Sequence, residues 1–181
     1  MTPAPAPGSE PRLLVRASSE QVGDDGGTAG LDPLRLDEQL CFALYSASNA
    51  VIRTYRPLLG ALGLTYPQYI VLMALWERDD LTVTELAARL DLPVHGLSPI
   101  LDRLSRERLL ERKPDPQDGR LRRLTLTDAG RALEQQAARA QAQVVEHSRF
   151  DAVRIERLRD ELHVLTSQLQ DPQEGPPPGD R

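Results

Sequence analysis

The sequence predicts a mainly α-helical protein with one small β-wing, and three observations lead there. Apolar residues recur at spacings of three and four over most of the chain from about Leu36 to Leu169. Between Leu109 and Leu126 that rhythm gives way to two strand-like runs around a cluster of turn residues. Prolines crowd the first eleven and the last ten residues and are sparser between, which sets a folded centre apart from two tails.

The 181 residues suit one domain with appendages. Composition is that of a soluble globular protein, although aromatics are few. There is no long uncharged apolar run, so no membrane span is expected. Met1 to Pro7 has neither a basic nor an apolar segment and does not read as a signal peptide. A single cysteine cannot close an internal disulfide, which favours a reducing, cytoplasmic setting. No metal and no cofactor are expected.

The formal net charge of −5 argues mildly against nucleic acid if taken globally. From Leu97 to Arg123, however, 8 Lys/Arg stand against 5 Asp/Glu, a local balance of +3. Local charge decides what a groove-binding surface meets.

Residues 1–33 are rich in Pro, Gly, Ala, Ser and Asp and too poor in apolar side chains to build a core, so a disordered tail is expected. Leu13-Leu14-Val15 is its one candidate docking strand. From about Leu36 to Leu62, Leu40, Leu44, Ala47, Val51, Tyr55, Leu58 and Leu62 form a helical stripe. Pro57 should kink it or split it in two. Thr65 can cap a second helix with Pro67 in its first turn, running to about Trp76 through an apolar interior.

Thr82 with Glu85 is a capping box that opens the next helix. A break at Asp91-Leu92-Pro93 leads to another from about Val94 to Arg108, with Leu97, Ile100, Leu101 and Leu104 inward. Two short helices with a tight connection, the second polar outside, fit a helix-turn-helix. Leu109–Lys113 and Leu121–Leu126 read as strands joined by a turn segment containing Asp118-Gly119, a wing with a basic tip. Thr127 caps a long helix to roughly Ser148. A last helix, about Asp151 to Leu169, carries Ile155, Leu158, Leu162, Leu165 and Leu169. That seam is too narrow for a core and calls for a partner, either the N-terminal helix or a second subunit. Residues 170–181 read as a disordered tail.

A helix-turn-helix with a wing brings a helix into the major groove and basic side chains to phosphates or the minor groove. The candidates are His95, Gly96, Ser98, Arg103 and Arg106 on the helix, and Asp118, Arg120 and Arg122 on the wing. Arg120 sits at the tip, where an arginine can enter a narrow minor groove, with Asp118 placed to buttress its guanidinium. The bland alternative is a winged helix that binds protein.

Cys41 lies on the first helical stripe, where a lone cysteine is usually an inert core residue. Tyr45, Tyr55, Tyr66 and Tyr69 could equally be core and rim aromatics. Phenols within reach would stabilise a thiolate, and a stabilised thiolate is what a peroxide oxidises.

Over Leu34 to about Leu169 the chain resembles the MarR family of dimeric winged-helix repressors, and within it the organic-hydroperoxide-sensing OhrR branch. The resemblance is carried by Gln39-Leu40-Cys41-Phe42-Ala43-Leu44-Tyr45, by Tyr55-Arg56-Pro57-Leu58-Leu59 and by Leu62-Gly63-Leu64-Thr65-Tyr66-Pro67-Gln68-Tyr69. Asp118-Gly119-Arg120 and Leu124-Thr125-Leu126-Thr127-Asp128-Ala129-Gly130 match the general family wing and its exit. It implies a winged-helix domain over 34–169, with a DNA-binding lobe at about 65–127 and dimerisation helices at about 34–62 and 128–169.

It also implies that Cys41 is the peroxidatic cysteine. Tyr55 and Tyr66 would hydrogen-bond it across the dimer, with Tyr45 near the same pocket. Oxidation by an organic hydroperoxide would then release a homodimer from a pseudo-palindromic double-stranded operator. With no second cysteine, the sulfenic acid would pass to a mixed disulfide with a low-molecular-weight thiol or over-oxidise.

The chain departs from the family in two places. Pro93-Val94-His95-Gly96-Leu97-Ser98-Pro99 stands where the family usually has Asp-Ser-Gly-Thr-Leu-Thr-Pro, so only Ser98 keeps a hydroxyl and the operator is expected to differ. Arg108 stands where a glycine commonly ends that helix, which implies an altered exit and an added phosphate contact. Competing readings are a repressor gated by a non-covalent aromatic ligand and, less in keeping with the residues, a thiol peroxidase, which would need a resolving or recycling partner.

Overall fold

A computed structural model describes residues 35–170. The tails expected over 1–33 and 171–181, and the strand expected at Leu13-Leu14-Val15, lie outside the described residues. Gln170, expected to begin the second tail, instead closes the last helix. A short 3-10 turn, Leu36–Glu38, precedes the first helix in the chain.

Seven α-helices and three strands follow: α1 (Leu40–Gly60), α2 (Tyr66–Glu77), β1 (Leu81–Thr82), α3 (Val83–Leu90), α4 (Val94–Arg106), β2 (Leu110–Pro114), β3 (Arg122–Leu126), α5 (Asp128–Ala132), α6 (Glu134–Ser148) and α7 (Ala152–Gln170). α1 is one helix through Pro57, so of the two outcomes expected there, a kink or a split, the split does not occur. Proline removes one amide donor near the helix end, and the fully buried Leu59 anchors the last turn. Gly63, with φ of 72°, then turns the chain.

Thr82 caps α3 as its sequence requires. Its hydroxyl accepts from the Glu85 amide at 3.1 Å, and the Glu85 carboxylate accepts from the Thr82 amide at 2.7 Å. The same Thr82 closes a strand that periodicity does not show. β1 pairs antiparallel with β3, Leu81 opposite Leu124, and the sheet order is β1-β3-β2. In β2–β3, Leu110 faces Leu126 and Arg112 faces Leu124.

The core joins Leu59 of α1, Val71, Leu72 and Leu75 of α2, Leu86 of α3, and Leu97, Leu101 and Leu104 of α4 to Leu81, Leu110, Leu124 and Leu126 of the sheet. Each fully buried leucine contributes about 1.5–3 kcal/mol relative to exposure. Gly130 is needed where α5 crosses the sheet, because a Cβ there would lie 2.1 Å from the Leu109 carbonyl oxygen. Trp76 locks the same point, its Nε1 donating to the Gly130 carbonyl at 2.9 Å. The single helix expected after Thr127 is two, α5 and α6, divided at Leu133. α7 buries none of its residues, with Ile155, Leu162 and Leu165 half-covered and Leu158 and Leu169 exposed.

Candidate nucleic-acid interface and thiol site

α3 and α4 form the expected helix-turn-helix. Asp91 caps α3 in the left-handed region, and α4 starts at Val94 behind Pro93. Because Leu97, Leu101 and Leu104 face the core, His95, Gly96, Ser98, Arg103 and Arg106 are all exposed. A Cβ at Gly96 would meet nothing nearer than Pro93 Cγ at 3.5 Å, so the fold itself does not demand a glycine there. The Arg106 Nε donates to the Asp102 carbonyl at 3.3 Å.

The wing is held to α4 by a residue that sequence reasoning passed over. Arg112 Nη2 donates to Asp102 Oδ1 at 2.7 Å and to the Ser98 carbonyl at 3.5 Å. At the tip, Asp115 Oδ1 accepts from the amides of Gln117 (2.8 Å) and Asp118 (3.0 Å), while Oδ2 takes Arg123 Nη1 at 2.9 Å. The Arg123 hydrogen bond, aided by those amides, holds the Asp115 carboxyl below its usual range. Arg123 Nε also donates to Asp80 Oδ1 at 2.8 Å, which braces the wing against the end of α2.

Asp118 and Arg120 meet differently from expectation. The Asp118 carboxylate accepts from the Arg120 backbone amide at 2.9 Å, so it shapes the turn. Arg120 and Arg122 are exposed on the tip and on β3. Gly119 adopts no positive φ, so the tip is built by the Asp115 and Asp118 side chains in place of a tight Asp-Gly turn. At the exit of α4, Arg108 takes the left-handed conformation, φ 57°, that a glycine would adopt without strain.

Cys41 is exposed on α1, and Tyr45 beside it is 68% exposed. Tyr55 and Tyr66 are brought together, in a cluster that includes Tyr69. The Tyr55 ring centroid lies 5.4 Å from that of Tyr66 and 5.5 Å from that of Tyr69, and Trp76 continues the row 6.3 Å beyond Tyr69. Burial pushes all three phenols above their ordinary value, most strongly Tyr55, to which the neighbouring phenols add. At neutral pH they are protonated hydrogen-bond donors, as phenols at their ordinary value already are.

Comparison with known proteins gives the arrangement its family. Residues 62–121, which run from before α2 to the wing tip, match the MarR family model. The chain is 43% identical over 131 residues to the HTH-type transcriptional regulator TtmR of Methylorubrum extorquens (strain PA1), which covers 72% of this chain and 66% of that relative. It is 34% identical over 138 residues to the organic hydroperoxide resistance transcriptional regulator of Bacillus subtilis (strain 168), covering 76% of this chain and 94% of the relative. A solved structure of reduced AbfR bound to DNA superposes with a TM-score of 0.63 at 29% identity, over 75% of this chain and 96% of the other. The chain belongs to the MarR family of winged-helix, DNA-binding transcriptional regulators.

Proposed function

We propose that the protein is a homodimeric repressor that releases its operator when an organic hydroperoxide oxidises Cys41. The observation that carries this reading is an exposed thiol at the start of α1 together with a cluster of phenols, Tyr55 from α1 and Tyr66 and Tyr69 from α2, whose ring centroids lie 5.4–6.2 Å apart. The similarity to a hydroperoxide-resistance regulator over nearly its full length supports it. The Cys41 thiolate attacks the outer peroxide oxygen and the O–O bond breaks. Cys41 becomes a sulfenic acid, and the alkoxide leaves and takes a proton to become an alcohol. A low-molecular-weight thiol then condenses with the sulfenic acid, giving a mixed disulfide and water.

The dimer rests on faces that a single chain leaves uncovered: Leu40, Tyr45 and Val51 on α1, and Val153, Leu158, Val164 and Leu169 on α7. It presents two α4 helices to successive major grooves about 34 Å apart, with Arg120 at the flanking minor grooves. Conversion of the thiolate to a sulfenic acid changes what Tyr55 and Tyr66 donate to, and the α4 spacing is lost. The test is a mobility shift on the DNA upstream of the protein's own reading frame, with and without cumene hydroperoxide. Wild type is released and Cys41→Ser stays bound; equal release of both sinks the sensor reading.

A cleft of about 240 Å³ between α2 and α6, lined by Tyr69, Met73, Trp76, Ala137 and Ala138 and by the polar Glu77, Glu134 and Gln141, is the observation behind a second reading, gating by a small aromatic ligand. On that reading Cys41→Ser responds to its inducer as wild type does.

A further inference from the structure

Gln68 is a polar side chain only 3% exposed, in the first turn of α2 between Tyr66 and Tyr69. Its two ends do different work. Oε1 accepts from the Thr65 amide at 2.7 Å, which caps α2, and Nε2 donates to Glu107 Oε2 at 3.2 Å. The other Glu107 oxygen accepts from Arg103 Nε at 2.5 Å. Arg103 is 58% exposed on α4, and this bond leaves both its terminal nitrogens free to meet DNA. A continuous set of hydrogen bonds thus runs from the phenol end of α2 to an arginine on the DNA-facing helix. Opposite the Glu107 carboxylate, only a side chain that is acceptor and donor at once can fill the Gln68 position. A glutamate would set two carboxylates together, and a methionine would satisfy neither neighbour.

We propose that Gln68 is a positioning residue that couples the phenol cluster to Arg103. Glu107 is the intermediary: held by Gln68, it fixes the Arg103 guanidinium at Nε and aims it outward. When the first turn of α2 shifts with Tyr66, the amide withdraws from Glu107 and Arg103 loses its placement. The sensing half rests on the function proposed above, whereas the coupling of Gln68 to Arg103 needs only that the protein binds DNA.

The test is a double-mutant cycle on the reduced full-length protein, read by fluorescence anisotropy at one salt concentration on a duplex selected by the wild type from a random library. Gln68→Met is expected to weaken binding about 5-fold, and Arg103→Ala by a comparable or larger factor. Combining them costs no more than Arg103→Ala alone, because Gln68 acts through that arginine. Losses that multiply overturn the proposal.

A second pair guards against simple misfolding. Gln68→Glu abolishes the link, and adding Glu107→Gln restores it with donor and acceptor exchanged, so binding recovers in the double variant. Failure to recover in a protein that melts like wild type also overturns the proposal. Cumene hydroperoxide added to the same samples tests the sensing half separately. Gln68→Met shows a smaller ratio of reduced to oxidised affinity than wild type, and an unchanged ratio removes Gln68 from the signal path. A wild type that binds but never responds defeats the sensor reading alone and leaves the cycle intact.

Discussion

Cys41 and Tyr55 lie on one unbroken helix, which separates them by about 21 Å at a rise of about 1.5 Å per residue. A hydrogen bond spans about 3 Å, so these two side chains of one chain cannot meet. If Tyr55 serves the Cys41 thiol, it serves the thiol of a second copy, and each sensing site is shared between subunits.

Mixed dimers separate the two arrangements. When Cys41→Ser is in one protomer and Tyr55→Phe with Tyr66→Phe in the other, a site shared between chains leaves one complete set, and hydroperoxide still forms sulfenic acid on it at the wild-type rate. With all three substitutions in one protomer and none in its partner, no shared site is complete and the rate falls about 10-fold or more. The reverse ranking would show that each chain supplies its own tyrosines.

The buried phenols also make stability sensitive to alkali. Their folded values lie above the ordinary 10.0 because burial penalises the phenolate. The stabilisation they give is therefore complete below about pH 10 and is lost as pH rises through the folded values. Urea melts at pH 8 and above pH 10 are expected to show this decline, with a shallower decline in Tyr55→Phe. Equal slopes would place the phenols in solvent.

Arg108 occupies a left-handed position that costs a non-glycine residue about 1–2 kcal/mol. Arg108→Gly is expected to stabilise the protein by roughly 1 kcal/mol, raising Tm by about 2–4 °C. If the guanidinium contacts a phosphate, the same variant binds DNA more weakly at low salt. Calorimetry and a salt titration read the two effects independently.

Arg120 stands exposed at the wing tip. Arg120→Ala is expected to weaken operator binding and to lower the slope of log K against log salt by about 1 for each subunit. An unchanged slope would mean that the tip does not touch DNA.

Much of this was legible in the chain because the signals are local. The Thr82–Glu85 capping box, the inward leucines of α4 and the two wing strands each announce themselves within a few residues, and the structure places them as expected. What was missed depends on partners distant in sequence. β1 is two residues long and exists because Leu81 meets Leu124. The Asp-Gly step suggested a tight turn, but the Asp115 carboxylate organises the tip together with Arg123. Gln68 looks like an ordinary cap residue until α2 and α4 pack and Glu107 arrives beside it. The candidate site divides the same way: Cys41 and the tyrosines were singled out through a family pattern, whereas the distance from Cys41 to Tyr55 required an unbroken α1.

Oxidation of Cys41 and loss of DNA are expected to be one event. Operator binding and Cys41 sulfenic acid, trapped by dimedone and read by peptide mass, can be followed in the same samples across a titration with cumene hydroperoxide. Release is expected to track the trapped fraction of Cys41 and to be complete at about one equivalent per subunit. Release while Cys41 remains a free thiol, or a fully oxidised Cys41 on protein still bound with wild-type affinity, would contradict that expectation.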